Sequence, residues 1–150
     1  MSLFLIPDDC SEVKEMISSN KIKHCLSVAR LMKVKAIEYG EDPEQMFLLG
    51  LLHDVGYEFD GLSDHDVIGG DVLRDSGFKY WREVYYHGNV ETDYRSRALD
   101  LLNYCDLHVS SKGEYVSVEE RLKEVRERHG VCSIAAYNAT VLAERLGLIQ

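Results

Sequence analysis

The run MFLLGLLHDVG at residues 46–56 constrains the fold of this chain more than any other segment. Seven of the eight residues from Met46 to His53 are apolar or glycine. A helix that is apolar nearly all round belongs in the centre of a protein rather than on its surface. The sequence therefore predicts a bundle of helices packed around this segment, with the pair His53 and Asp54 in the last turn of the central helix.

Helical periodicity extends along almost the whole chain, and no segment alternates convincingly with period two. We therefore predict an all-α fold, a bundle of about seven to eight helices. The predicted helices cover about residues 9–19, 21–39, 43–56, 64–76, 79–87, 92–109, 118–130 and 131–146.

Local signals mark several of the predicted helix ends. Asp42 is a predicted N-cap, Pro43 suits the first helical position, and a glutamine three residues after Asp42 can complete a capping box. Gly56 is a plausible residue to follow the end of that helix. The segment SVEE, which begins at Ser117, predicts a second capping box.

Length, composition and charge exclude several classes of protein. A chain of 150 residues suits a single domain, 1–150, and 45% hydrophobic with 29% charged residues is an ordinary globular composition. The net charge of −9 discourages nucleic-acid binding. No apolar stretch approaches the ~20 residues of a membrane span, and the N-terminus is no convincing signal peptide. We expect a cytoplasmic protein with no nucleic-acid or membrane partner, and the oligomeric state stays open.

The four cysteines contain no C-x-x-C pair, and a disulfide framework is unusual for a cytoplasmic domain of this size. Cys25 follows His24 and Cys105 precedes Asp106, but neighbouring side chains on a helix point about 100° apart. We therefore expect these two cysteines to pack as small hydrophobes rather than to share a site with their neighbours.

Polar residues recur on inward faces or at ends of other predicted helices. Asp106, for example, lies four and seven residues after leucines, on the apolar face of its helix. Each residue alone has an ordinary explanation: a core histidine, a cap, or a histidine at the negative end of a helix dipole. The set comprises His24, His53, Asp54, His65, His87 and Asp106. Four imidazoles and two carboxylates together suit one or two divalent transition metals.

The remaining histidines, His108 and His129, are predicted to be surface residues, because His108 lies away from the apolar face of its helix and His129 ends a charged one.

The order of these residues resembles that of the HD-domain metal-dependent phosphohydrolases. That family has a histidine on an early helix, an HD doublet and a later aspartate, and its two-metal branches add two histidines between doublet and aspartate. GLLHDVGY resembles the family's doublet helix, and HDVIGGDVLRDSGF is similar to the family's segment that follows this helix. DLHVSSKGEYVSVEERLKEVRERHG resembles the tail of a largely uncharacterised bacterial and archaeal subgroup of HD phosphohydrolases. The resemblance covers about residues 21–130. A more distant one is to the two-metal hydrolases of diadenosine tetraphosphate.

The resemblance implies an HD-domain helical bundle that binds one or two divalent transition metals, such as iron or manganese. It gives Asp54 a bridging role, places His24, His53 and Asp106 around a first metal, and places His65 and His87 around a second. His53 and Asp54 are then the catalytic residues. A metal-bound water with a pKa near ~7 supplies hydroxide at neutral pH.

The implied reaction is hydrolysis of a phosphoester or phosphoanhydride in a nucleotide-like small molecule, of class EC 3.1 or 3.6. A phosphorylated substrate needs a further cation, and Lys112 and Arg74, on segments that flank the ligands, are the sequence-based candidates. Two alternatives remain open: an HD-type di-iron oxygenase, which keeps the site and changes the chemistry, and a non-catalytic metal- or nucleotide-binding helical module.

Overall fold

A computed structural model describes residues 19–58 and 65–150 of the chain. Within these ranges the only β pairing is an isolated bridge between Val109 and Tyr115, so the predicted all-α fold is confirmed. The helices are α1 Ser19–Lys35, α2 Pro43–Leu52, α3 His65–Asp75, α4 Trp81–Tyr86, α5 Arg97–Asp106, α6 Val118–His129 and α7 Ile134–Arg145, with 3-10 turns at Ala36–Tyr39 and Val55–Glu58.

The predicted helix at 9–19 lies outside the described residues except for its last position. None of the helices in the described ranges has the length and apolarity needed to cross a membrane.

Helix α2 lies at the centre of the bundle, as its apolar sequence predicts. Met46 and Leu49 are fully buried, and they belong to the main core together with residues of α1 and α5. A Cβ atom at Gly50 would lie 2.6 Å from Cα of Ala29, so only glycine permits this approach of α2 to α1. Helix α1, which carries His24, and helix α2, which directly precedes His53 and Asp54, are therefore packed backbone to backbone.

The end of α2 differs from the prediction. The helix ends at Leu52, and His53 keeps helical backbone angles as the residue after it. Gly56 is not a left-handed cap but lies within the 3-10 turn Val55–Glu58. A Cβ there would meet the backbone oxygen of His65 at 1.7 Å. Gly56 thus permits close contact between this turn and α3, which brings the start of α3 beside the end of α2.

Of the two helix starts for which capping contacts were predicted, one has them and the other does not. Pro43 occupies the first turn of α2, but the side chain of Asp42 makes no capping hydrogen bond. The capping box at the start of α6 is confirmed, because Ser117 and Glu120 each bond the other's backbone N–H.

Helix α5 begins five residues later than predicted because the preceding segment is held by a buried carboxylate. Oε2 of Glu83 accepts hydrogen bonds from the hydroxyls of Tyr94, at 2.6 Å, and Ser96, at 2.7 Å. Ser96 in turn accepts from the backbone N–H of Leu99 and caps α5. These polar contacts keep residues 92–96 in an extended path over α4.

Helices α6 and α7 pack over the end of α5 through a second apolar cluster. Leu107, Val118, Leu122 and Ala143 are buried there. This arrangement leaves a space between α6, α7 and the ends of α2, α4 and α5.

The prediction that Cys25 and Cys105 pack as small buried hydrophobes is confirmed. Cys25 and Cys105 are buried thiols, whereas Cys132 is an exposed one, and all three are free. Burial, with the nearby charge of Asp106, raises the pKa of the Cys105 thiol. Cys10 lies outside the described residues.

Candidate metal centre

The six residues predicted as metal ligands lie together in the structure and are called the His/Asp cluster below. They come from five elements or junctions, since His53 and Asp54 share one, and four of the six are almost fully buried. The cluster consists of His24 on α1, His53 and Asp54 directly after α2, His65 at the start of α3, His87 directly after α4 and Asp106 at the end of α5.

Asp54 lies at the centre of the cluster. Its Oδ1 atom is 3.4 Å from Nε2 of both His65 and His87. Its Oδ2 atom is 3.4 Å from Nε2 of His53 and 3.6 Å from Nε2 of His24. Each carboxylate oxygen therefore faces a different pair of imidazoles.

Asp106 supplies a second carboxylate on the side of His24 and His53. Its Oδ1 atom lies 2.8 Å from Nε2 of His24 and 3.6 Å from Nε2 of His53. The ligand atoms of these three residues all lie within 4.8 Å of one another, and the same holds for the group of Asp54, His65 and His87. The geometry thus contains two neighbouring groups of three ligands each.

A third possible grouping replaces an imidazole by the thiol of Cys25, with His53 and Asp54. Cys25 is fully buried and packs against apolar residues of α1 and α2. Burial raises the pKa of this thiol, and a neutral thiol is a weak ligand. The imidazole groups are therefore the better candidates.

Backbone carbonyls orient three of the rings. His53 and His87 each donate Nδ1–H to the carbonyl three residues earlier, at 2.6 and 2.5 Å. His24 donates Nδ1–H to the carbonyl of Ser110 at 2.9 Å. A proton held on Nδ1 directs Nε2 toward the carboxylates, as is usual for metal-binding histidines whose other nitrogen is hydrogen-bonded.

The surroundings of Nε2 of His53 indicate whether the cluster fits a cation. This atom is buried and has no hydrogen-bond partner among the described residues. Buried polar atoms are rarely left unpaired, because each one costs about 1–3 kcal/mol. A divalent ion between Nε2 and the two carboxylates would satisfy it, and imidazole with carboxylate is a donor set suited to such ions. The residues present therefore fit one or two divalent metals.

The charges in the cluster favour the ligand form of both carboxylates. Burial raises the pKa of Asp54, but the positive charges near it, those of His53 and Lys21, outweigh burial and hold the pKa well below its usual range. Burial also raises the pKa of Asp106, but the nearby imidazoles of His24 and His53 outweigh burial and hold this pKa well below its usual range. Both groups are thus anionic at neutral pH.

Lys21 is a residue of the site that sequence reasoning missed. Its Nζ lies 3.1 Å from Oδ2 of Asp54 and 4.1 Å from the ring centre of Tyr57. Tyr57 in turn stacks on His65, with ring centres 3.9 Å apart. The sequence signal that could have identified Lys21 is its spacing, since it lies three residues before His24 and therefore on the same side of the helix.

Arg121 on α6 is a second cation that the sequence did not single out. Its Nε–H donates to the backbone oxygen of Asp106 at 3.1 Å, and its guanidinium lies 3.6 Å from Oδ1 of the same residue. Glu124 holds the other side of the guanidinium at 2.6 Å and also accepts hydrogen bonds from Ser111. The pair Arg121–Glu124 has the local i,i+3 spacing, but no local pattern predicts the contact of Arg121 with Asp106, because it joins separate elements of the bundle.

Asn103 on α5 also lies beside the site. Its side chain is buried, and Oδ1 accepts the backbone N–H of Gly88 at 3.0 Å. The contact fixes the chain directly after His87.

An open cleft of about 810 Å³ lies beside the cluster. This volume is within the range of small-molecule sites. Its walls include Lys21, Asp54, Tyr57, His65, His87 and Asp106 on the metal side, Arg121, Val125, Arg128 and His129 on α6, and Ile134, Ala135, Ala139 and Leu142 on α7.

The structure does not bring the two predicted substrate-binding cations to this cleft. Arg74 lies nine residues after His65, which places it on the opposite side of α3, and it pairs with Asp71 at 3.2 Å. Lys112 is exposed on the loop between α5 and α6. His129, expected at the surface, is exposed but lines the cleft.

A helical bundle with buried imidazoles and carboxylates beside an open cleft defines a candidate metal-dependent protein of the all-α class. Residues 22–137 match the family model described as HD domain, and the chain therefore belongs to the HD-domain family. That family is one of metal-dependent hydrolases, generally phosphohydrolases.

The chain is also similar to an uncharacterised protein of Methanocaldococcus jannaschii. The two are 36% identical over 73 residues, a match that spans 45% of this chain and 43% of that protein. No solved structure matches the chain.

Proposed function

We propose that this protein is a metal-dependent phosphohydrolase that cleaves a phosphoester or phosphoanhydride bond in a nucleotide-like small molecule. The observation that carries the proposal is the position of Asp54, whose two oxygens face separate pairs of histidines. Such a shared carboxylate suits two adjacent ions, an arrangement that serves displacement at phosphorus.

In this proposal His24, His53 and Asp106 hold one divalent ion, His65 and His87 hold a second, and Asp54 is shared between them. Bound ions of this kind lower the pKa of a coordinated water to about 7 and stabilise charge on phosphoryl oxygens. The backbone carbonyls behind three of the rings keep Nε2 of His24, His53 and His87 in its binding direction, so that little reorganisation of these rings is needed when metal binds.

The remaining positive charge comes from Lys21 and Arg121, which border the cleft next to the two carboxylates. A phosphoryl group at the His/Asp cluster would lie within reach of both side chains. Arg121 is held by Glu124 in a fixed position, and a preorganised guanidinium recognises phosphate oxygens well.

The cleft also supports an organic substrate rather than a bare phosphate. Its volume of about 810 Å³ far exceeds that of one phosphate group, and its α7 wall contributes apolar side chains such as Ile134 and Leu142. A nucleotide-like molecule would place its phosphate at the cluster and its less polar part against this wall.

The test is phosphate release from a panel of nucleotides by anaerobically purified protein reconstituted with manganese or iron, compared with Asp54→Asn. The control is Asp71→Asn, because Asp71 is an exposed carboxylate that pairs with Arg74 away from the cleft. We expect turnover in the natural sequence and in the control, and a loss of at least about a hundredfold in Asp54→Asn.

Two results contradict the proposal. Iron-dependent oxygen consumption without phosphate release would assign the cluster to an oxygenase. Stoichiometric metal with no turnover of any kind would assign it to a non-catalytic binding module.

A further inference from the structure

Helix α6 presents a line of three side chains to the cleft, and the proposed reaction uses only the first of them, Arg121. Arg121, Val125 and Arg128 all border the cleft, and their spacing of four and three residues places them on one side of the helix. Arg128 lies about 10 Å along the helix axis from Arg121. The line therefore runs from the His/Asp cluster toward the outer part of the cleft.

The two arginines differ in what they bind within the protein. Arg121 is held by Asp106 and Glu124. Arg128 is exposed and has no hydrogen bond or ion pair with any group in the described part of the chain. An arginine without a protein partner on the wall of a cleft is available to a ligand.

The surroundings of Arg128 are positive although the chain as a whole carries a net charge of −9. Partial burial lowers the pKa of His129, and the charges of Arg128, Lys21 and Arg121 lower it further. Apart from the two carboxylates of the His/Asp cluster, Asp66 is the only acidic residue of the described ranges 19–58 and 65–150 that borders the cleft. This concentration of cations in an acidic protein favours an anion in the outer cleft.

We propose that Arg128 forms a second anion site and that the ligand of this protein carries two phosphate groups, one at the His/Asp cluster and one at Arg128. This inference rests on the proposed function for the first group. The apolar side chains of Val125 and Ile134 also border the cleft, and they would contact the organic part between the two groups. The substrate class is thus a nucleotide-like bisphosphate rather than a simple monophosphate.

The experiment compares two probes that differ by one phosphate, adenosine 5′-monophosphate and adenosine 3′,5′-bisphosphate. Their dissociation constants are measured by calorimetry for the manganese-loaded protein and, to exclude turnover, for the protein in EDTA. We expect the natural sequence to bind the bisphosphate at least about tenfold more tightly than the monophosphate, since one charge-assisted arginine–phosphate contact has this magnitude.

Arg128→Gln should reduce this ratio to near one and leave the dissociation constant of the monophosphate unchanged, whereas Arg128→Lys should keep part of the preference. The matched control is Lys123→Gln, an equal loss of charge on α6 at an exposed residue that does not border the cleft. It should leave the ratio as in the natural sequence.

The inference is overturned if the natural sequence shows no preference, if it binds neither nucleotide, or if Arg128→Gln and Lys123→Gln give the same ratio. Its failure is distinguishable from failure of the proposed function. Hydrolysis of a monophosphate without any bisphosphate preference refutes only the second anion site. An Arg128-dependent preference without any hydrolysis supports the anion site and refutes the phosphohydrolase.

Discussion

Nε2 of His53 lies 3.4 Å from Oδ2 of Asp54, although the two residues are neighbours in the chain. Adjacent side chains within a helix point about 100° apart and do not converge. They converge here because α2 ends at Leu52 and the chain enters a 3-10 turn at Val55. The end of the central helix is therefore what allows one dipeptide to contribute an imidazole and a carboxylate to the same centre.

Substitution of one histidine should remove one metal ion. We expect metal-reconstituted protein to contain about two ions per chain and His65→Ala to contain about one, because His24, His53 and Asp106 form a separate group of ligands. Metal content is measured by elemental analysis after gel filtration. The control is His108→Ala, since His108 is half-buried and bonds only the carbonyl of Tyr104. Equal metal content in the natural sequence and His65→Ala would contradict the two-ion arrangement.

Lys21 should oppose metal binding and assist substrate binding. Its ammonium pairs with the same oxygen of Asp54 that faces His24 and His53. In Lys21→Met we expect the dissociation constant for Mn²⁺ to fall several-fold, because a competing positive charge is removed. The KM for a phosphorylated substrate should rise about tenfold, because one cation at the phosphate is lost.

Titration with Mn²⁺ and steady-state kinetics measure the two effects of Lys21→Met separately. Lys23→Met is the control, since Lys23 is exposed on the same helix. A rise in KM of the same size in both variants would show that only the overall charge of α1 matters.

Because of the close contact at Gly56, substitution of this residue by alanine should be unusually destabilising. A Cβ atom at this position would overlap the backbone of His65, so the turn and α3 must separate. We expect Gly56→Ala to lower the free energy of unfolding by about 3 kcal/mol or more and to weaken metal binding through His65.

The comparison for Gly56→Ala is Gly77→Ala, where φ is +83° and a Cβ meets nothing within 4 Å. Only the backbone conformation is strained at Gly77, at a cost of about 1–2 kcal/mol. Urea unfolding of both variants measures the difference. Equal losses of stability would show that the close approach of the turn to α3 is not required.

Glu124 should contribute stability that depends on pH. Burial raises its pKa, but hydrogen bonds from Ser111 and Arg121 outweigh burial and lower the pKa below 4.5. A carboxyl whose pKa is lowered by folding stabilises the protein above its unfolded pKa and loses this contribution as the pH falls through the folded pKa. Because the group is partly exposed, we expect Glu124→Gln to cost about 1–2 kcal/mol at neutral pH.

The cost of Glu124→Gln should be constant between pH 6 and 8 and should shrink below pH 4.5, the ordinary value for this carboxyl. Unfolding free energies measured across this range for both proteins give the dependence. Glu127→Gln is the control, because Glu127 is exposed and reaches only Lys123, at 4.0 Å. A cost that stays constant down to pH 3 would mean that the charge of Glu124 contributes nothing.

The observed helix boundaries show where local sequence patterns are not sufficient to predict the start or end of a helix. The capping box at Ser117 is confirmed because both of its partners lie within one turn of each other. The start of α5 and the end of α2 were predicted less well, since buried Glu83 holds the chain before α5 and His65 approaches Gly56 after α2. In both cases a contact from another part of the chain overrides the local signal.

The sequence by itself determined the all-α class, the central position of the apolar helix and the candidate metal ligands. These properties follow from hydrophobic periodicity and from the rarity of charged groups in apolar surroundings, both of which are visible along the chain. Only the tertiary structure decided which cations border the cleft. Lys21, Arg121 and Arg128 reach it while Lys112 and Arg74 do not, because side chains from distant helices meet according to how the helices pack, and spacing in the sequence does not specify that packing.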